Sequence, residues 1–472
     1  SARFADRLSP LDFGAAGDGT TDDTSAWSSA LTAVPAGGLI DGGRKTYKIT
    51  SSITVPANVT VRHAKFTLGT AGMKGILVNS GASLLDVKIT GTGNIATTPS
   101  ETGIYPAADG VYDVTLDVEV TNVAVGVQVV PTVNTAPARW RGKVYAHDIP
   151  GTASGYGYGV LINGDSNVFE VKATTIGRHA VYVTGATSVG SRWNDIYADV
   201  DGCTDVAVLL YATAAQQPVR WNTIRGKMRN VTGTTGDAVR IISNAQQNTV
   251  SVAVVGGASS HAAVYIEGEQ TTGNPSTAGN VITACTVSGA FTADAAIYDQ
   301  NGDGTLISGN DLRGYGTAAV VTLTSGGTLV PTVGPSVHGN VIDAQGQAVY
   351  GIKDVESVAV TFVGPNNIRN NSTTDRVYDG TSGKRTGHSR EFSGRVTTAS
   401  VASNTADYVA ATWPDAVLNP RVTTAVTNMG TTEAGNYPSY ATRVTSSGAR
   451  IYGYNGSGGA QYLVIDYVVR GD

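Results

Sequence analysis

Eight asparagines return at near-constant intervals through the middle of this chain: Asn167, Asn194, Asn222, Asn248, Asn280, Asn310, Asn340 and Asn366. Successive spacings are 27, 28, 26, 32, 30, 30 and 26 residues, and the residue two places on is apolar every time, from Phe169 and Ile196 to Ile342 and Ile368. A second track runs beside the first. Its short apolar segments begin at Ala180, Ala207, Ala238, Ala263, Ala296, Ala319, Ala348 and Arg376, and most continue with Val or Ile. A unit this short cannot close a core of its own, so a fixed period of about 20–50 residues specifies a stacked array. The units are strand-like rather than helical, which makes the array an all-β solenoid, a single-stranded parallel β-helix.

Composition agrees. Gly is frequent at 59 of 472 residues, charged residues make up only 15%, and Tyr (21) far exceeds Phe (7) and Met (3). Such a balance describes strands joined by tight turns under a polar, uncharged surface. The net charge of −5 offers no general attraction for nucleic acid or an anionic membrane. No apolar run approaches the ~20 residues of a membrane span, and the start SARFADRLSP lacks the apolar segment of a signal peptide. Cys203 and Cys285 sit in no CxxC or Cys/His spacing, so buried free thiols are expected and no metal or cofactor.

Four regions follow. Residues 1–34 hold the clearest helix: Thr21 or Asp22 can N-cap it, and Ala26, Trp27, Ala30, Leu31 and Val34 share one face, as suits a cap over the solenoid's open strand edges. Residues 35–380 form the β-helix, irregular at first with excursions at 92–110 and 131–140, and regular from about 165. Residues 381–391 are polar and apolar-poor and read as a linker. Residues 392–472 lose the asparagine track and alternate as strands near 408–411, 421–427, 441–445, 450–454 and 462–469, which predicts a separate small β-sandwich-like domain.

The stretch DFGAAGDGTTDDTSAW, residues 12–27, resembles the opening motif of the pectate-lyase-like superfamily of right-handed parallel β-helices. RLSPLDFGAAGDG, together with the small C-terminal β-domain, is more similar to bacteriophage tailspikes than to plant or fungal pectinases. The stretches WPDAVLNPRVTTAV, GARIYGYN and YLVIDYVVRGD resemble lectin-like tips of phage fibres. The resemblance places Asp12, Asp18, Asp22 and Asp23 in the capping turn and helix, as structural residues. It implies a homotrimeric depolymerase on the virion, extracellular in action, whose partners are a bacterial surface polysaccharide and phage tail or baseplate proteins reached through a segment preceding this sequence. It implies neither a nucleic-acid partner nor membrane insertion.

Where chemistry could sit follows from the period. Strand side chains alternate in and out, and rungs stack ~4.8 Å apart. With the residue two after each asparagine inward, those three and five after it face out, including Glu170/Lys172, Tyr197/Asp199, Arg225/Lys227 and Thr283/Cys285. Glu170 and Asp199 then lie on a diagonal of roughly 8 Å, within the range of a glycosidase carboxyl pair. Tyr197 and Arg225 stand beside them. The competing reading is a solvated set of cross-rung ion pairs with Lys172, Arg225 and Lys227. The second track gives another outward row: Tyr182, Leu209, Arg240, Tyr265, Tyr298, Val321, Tyr350 and Tyr378. Its tyrosines suit either sugar rings or a neighbouring chain. Glu267, Glu269, Asp299 and Asp303 cluster there, with Glu267 and Asp299 as the first acid/base pair, Asp299 requiring that its strand end before it. Asp237 is a further carboxylate, or a turn cap.

Hydrolysis of a capsule, exopolysaccharide or O-antigen ranks first. A β-eliminating lyase on a uronate needs a base and a free cation, for which Arg225 with Lys227 and Tyr197, or Arg240 with Tyr265, could serve. A non-catalytic glycan adhesin is the alternative outside enzymology. No histidine sits in a nucleophile context that would support a Ser-His-Asp esterase.

Overall fold

The computed structural model describes residues 7–95, 100–152, 155–213, 215–233, 235–257, 259–268, 277–293, 295–316, 318–323, 334–343, 350–355, 362–363, 366–369 and 377–379, and the C-terminal strands given below. Two compact units emerge, residues 1–361 with 366–381, and residues 362–365 with 382–472.

The first unit is a parallel β-helix. One coil runs along a long sheet (Val168–Ile176), turns into a 13-stranded sheet (His179–Thr184), passes a short sheet (Ser191–Arg192), and re-enters the long sheet at Asp195–Cys203. Register is strict: Val168 faces Asp195, which faces Thr223, and Val181 faces Val208, which faces Val239. Alternation explains the interior. Phe169, Val171 and Ala173 are fully buried while Glu170 and Lys172 between them are exposed.

The helix spans Thr24–Ala33 and buries Ala26, Trp27, Ala30 and Leu31. Trp27 meets Tyr47 and Phe66 at ring-centroid distances of 5.1 and 4.7 Å. The N-cap position falls to Asp23 rather than Thr21 or Asp22. Its carboxylate accepts the N–H groups of Ala16 and Gly17, folding the preceding loop back, while Asp22 takes the N–H of Thr24. Asp12 closes a capping box with Ser9, and Asp18 accepts from Thr20 and Thr21. All four aspartates are occupied in turns.

Inside the corner, the asparagines form a hydrogen-bonded ladder. Asn194 Oδ1 accepts from the backbone N–H and Nδ2 of Asn167 at 3.0 and 2.8 Å. Asn194 in turn donates to Asn222 and to the Gly164 carbonyl. The pattern runs unbroken from Asn167 to Asn280 and then stops. Ala284 adopts left-handed backbone (φ 52°), dividing the strand into Val281–Thr283 and Thr286–Ala290. Cys285, not Asn280, donates to Asn310 Oδ1 at 2.9 Å, and a second ladder of Asn310, Asn340 and Asn366 starts there. The single track expected from the spacings is therefore two ladders in different columns. The same break turns Cys285 inward, 1% exposed, where the alternation rule put it outside.

Other expectations shift as well. The excursion at 92–110 contains the strand Thr102–Pro106, and Arg390–Thr397 is a strand where the linker was expected to end. The second unit consists of two three-stranded antiparallel sheets. One is Arg390–Thr397, Leu463–Gly471 and Arg421–Met429, and the other Thr405–Thr412, Gly448–Asn455 and Ser439–Thr445.

Candidate functional site

The outer face of the 13-stranded sheet departs from simple alternation. From Tyr158–Ile162 to Tyr350–Val355 the strands carry two consecutive inward residues at or beside their start, such as Ala180–Val181 and Ala238–Val239, all four buried. The residue before this pair is thereby returned to the outer face. It is Tyr158 on one rung, and His179, Val206 and Asp237 on the rungs after it. Two positions after the pair's first residue stands the expected row, Tyr182, Leu209, Arg240, Tyr265, Tyr298 and Val321 in unbroken register. Beyond Val321 the row continues with Lys353, not Tyr350. Tyr350 faces Ala318 instead and packs with Tyr298 on the cluster of Ala295, Ala318 and Val321.

Arg240 is the centre of this face. Its Nη2 donates to Glu267 Oε2 at 2.6 Å, its Nη1 lies 3.7 Å from Asp237 Oδ2, and its guanidinium stands 5.0 Å from the Tyr265 ring centroid. Burial pulls the Arg240 pKa down, but the bond to Glu267 and the charges of Asp237 and Glu267 outweigh it and leave it raised. Asp237 is fully buried, and loss of hydration pushes its pKa up despite its 2.7 Å bond to His261 Nδ1. Tyr265 stacks on Tyr298 with centroids 5.1 Å apart and planes 7° from parallel, and its hydroxyl donates to Gln300 at 2.6 Å. Glu267 has a third of its side chain open to solvent, at 34%.

Upstream, the same face carries a second polar group. Arg178 donates to the Tyr158 hydroxyl at 2.6 Å and lies 3.6 Å from Asp205, and His179 stacks on Tyr158. Burial lowers the His179 pKa to about 4, and the Arg178 charge adds to this while Asp205 opposes it. Asp205 also accepts from Thr235, joining this group to the turn that precedes the strand of Arg240, Val239–Ser243. The result is a strip six rungs long, edged by carboxylates, with aromatic rings at both ends and Leu209 and Arg240 between them.

The predicted residues distribute unevenly. Glu267, Arg240, Tyr265, Tyr298 and Tyr182 meet on this face. Asp299 does not: its strand Ala295–Gln300 does not end before it, and its side chain points into the solenoid, fully buried, with its pKa raised to about 6 by burial. It accepts from the Gly302 N–H at 3.0 Å and serves the interior. Asp303 bridges to Ala278 in the backbone, at the turn following that strand. Glu269 lies outside the described residues.

Glu170 and Asp199 occupy the diagonal on the long sheet that the register predicts. Their partners differ from those expected. Glu170 lies 3.4 Å from Lys143 and Asp199 lies 3.5 Å from Arg229, while Arg225 is held by both oxygens of Asp195 at 2.7 and 2.6 Å. Glu170, Asp195 and Arg225, but not Asp199, line an open hollow of 410 Å³ with Tyr197 and Val168. These are exposed cross-rung ion pairs, each worth ~0–1 kcal/mol. Among the described residues no group of three or more His, Cys, Asp or Glu is disposed to hold a metal ion, and no helix is long and apolar enough to cross a membrane.

Sequence reasoning missed Tyr158, Arg178, His179, Asp205 and His261. The signal was present: four of them, Arg178, His179, Asp205 and His261, lie one or two residues before the alanines of the second track, a position that simple alternation does not mark.

Comparison with known proteins agrees with this architecture. The family model for the N terminal extension of bacteriophage endosialidase matches residues 15–62. A mutant tailspike protein of E. coli bacteriophage HK620, in complex with a pentasaccharide, superimposes with a TM-score of 0.58 at 12% identity, covering 100% of this chain and 94% of that one. This chain has the tailspike fold. The tailspike of Pseudomonas phage phi297 superimposes with a TM-score of 0.51 at 12% identity, covering 99% of both chains. The tailspike likeness thus spans the solenoid and the C-terminal strands alike.

Proposed function

We propose that this protein is a phage receptor-binding depolymerase that hydrolyses a bacterial surface polysaccharide on the outer face of its 13-stranded sheet. The observation that carries the reading is Arg240 held between Asp237 and Glu267 beside the stacked Tyr265–Tyr298 pair. Stacked aromatic rings present a flat apolar floor of the size of a sugar ring, and acid and base groups at its edge supply what glycoside hydrolysis requires. The fold's occurrence in a tailspike bound to a pentasaccharide supports a glycan as ligand.

In this reading Glu267 activates the attacking water. Asp237 fixes His261 through Nδ1, and His261 Nε2, which has no protein partner among the described residues, delivers the proton to the leaving oxygen. Asp237 acts as a positioning residue, since it is sealed from solvent. Lyase chemistry would need the Arg240 cation for a uronate, and Glu267 already occupies it at 2.6 Å. Assembly as a homotrimer on the virion belongs to the same proposal.

Glu267→Gln tests it. Purified capsular, exopolysaccharide and O-antigen preparations should release reducing ends with the wild type and no absorbance from unsaturated uronate. The variant should be slower by roughly 10²–10⁴-fold. Absorbance from unsaturated uronate would establish the lyase, and binding without either signal the adhesin.

A further inference from the structure

At the corner preceding the asparagine ladder, every described rung from Ser166 to Gly279 carries one residue in left-handed backbone: Ser166, Trp193, Trp221, Gln247 and Gly279, with φ between 55° and 61°. This conformation disfavours bulky side chains, and Gly279 shows that glycine satisfies it. Gly309 and Gly339, which precede the second ladder, repeat the pattern. Two tryptophans at this position are not required by the fold. Both are solvent-facing, Trp193 at 52% and Trp221 at 41% exposure, and their rings stack 5.2 Å apart and 12° from parallel.

Their surroundings are polar. Arg192 lies 5.1 Å from the Trp193 ring centroid and is tied to Asp165 at 2.7 Å. Arg220 Nε, on the next rung, is buried and has no partner among the described residues. Two residues beyond Trp193 in the chain, Asp195 opens the hollow lined by Val168, Glu170, Tyr197 and Arg225.

We infer that Trp193 and Trp221 form a second, non-catalytic glycan-docking platform on a face separate from the Arg240 strip. Its ligand is a pyranose segment of the polysaccharide. A sugar ring has an apolar face for the indoles and hydroxyls for the flanking ions. A protein partner fits worse: a stable interface clears about 1,000 Å² and depletes charge from its centre, whereas this patch is two rings wide and has the Arg192–Asp165 ion pair against it. The polysaccharide as ligand rests on the function proposed above, while the existence of a sugar platform does not.

The test uses the full chain and a printed array of purified capsular, exopolysaccharide and O-antigen glycans. Trp193→Gly/Trp221→Gly is the informative variant, because other rungs already carry glycine there. It is compared in the wild-type and Glu267→Gln backgrounds, with thermal melts as a folding control and Trp193→Phe/Trp221→Phe as conservative rescue. Loss of array binding by about tenfold or more, with melting unchanged, binding restored by the Phe pair, and cleavage of short oligosaccharides unaffected, is expected. Array binding equal to that of the parent, or no array binding by any variant, overturns the platform. So does a change in sedimentation with binding intact, which assigns the tryptophans to a subunit contact. If platform binding is lost as expected but Glu267→Gln cleaves like wild type, the catalytic proposal fails and the platform stands.

Discussion

Arg240 is a partly buried cation whose charge is matched by Asp237 and Glu267, so removing either carboxylate has a predictable sign. Either substitution still leaves Arg240 one carboxylate, so the cost falls below the ~3–5 kcal/mol of a buried charge with no partner. Asp237 is the more buried of the two. Asp237→Asn is expected to lower stability measurably in a urea titration as well as activity. Glu267→Gln, at a partly open position, should lower activity with little change in midpoint. Asp299 makes a separate residue-scale prediction. Its pKa is about 6 in the fold against an ordinary 3.8. Below about pH 3.8 the carboxyl is protonated whether the chain is folded or not, and its contribution to stability is fully present. As pH rises through about 6 the folded state must bury a charge, and that contribution is lost. The difference of pKa corresponds to about 3 kcal/mol. Asp299→Asn is therefore expected to stabilise the protein at pH 7.5 and to gain little at pH 4. An equal gain at both pH values would sink this account of Asp299. Cys203 and Cys285 are pushed up to about 12 and about 11 by burial, so a thiol reagent should label neither until the chain unfolds.

At the scale of elements, the ladder holds the corner together because each amide satisfies two donors of the rung before it. Asn222→Ala would leave the backbone N–H of Asn194 and one of its two Nδ2 N–H groups buried without an acceptor, the other keeping the Gly164 carbonyl. At ~1–3 kcal/mol for each unsatisfied group, the loss should be about 2–5 kcal/mol in chemical denaturation. The ladder was legible in the sequence because a solenoid repeats one inward apolar residue and one amide per coil, and both survive as spacing. Its interruption was not. Ala284 changes only a backbone angle, and the 30-residue interval from Asn280 to Asn310 matches its neighbours although it joins different columns. The strip around Arg240 was half legible for a related reason. Alternation found Tyr182, Arg240, Tyr265, Tyr298 and Glu267, which follow the inward pair. It failed for His179 and Asp237, where two consecutive inward residues decide which way a side chain points, whereas Asp299 lies inward as alternation has it, because its strand does not end before it.

For the whole molecule, a parallel β-helix provides long flat faces on which columns from distant parts of the chain become neighbours. Tyr158 and Gln300 stand 142 positions apart in sequence and five rungs apart on one sheet. This geometry suits an extended polymer: one face holds the paired carboxylates and stacked tyrosines, and the long sheet's face carries ion pairs that salt should weaken without affecting cleavage. The central claim is that the Arg240 strip is where the glycan is cut. A crystal structure of Glu267→Gln soaked with oligosaccharides from the wild-type digest tests this most directly. The account predicts sugar rings over Tyr265 and Tyr298 with a glycosidic oxygen beside residue 267. Sugar bound only along Glu170 and Asp199, with the Arg240 strip empty, would contradict it.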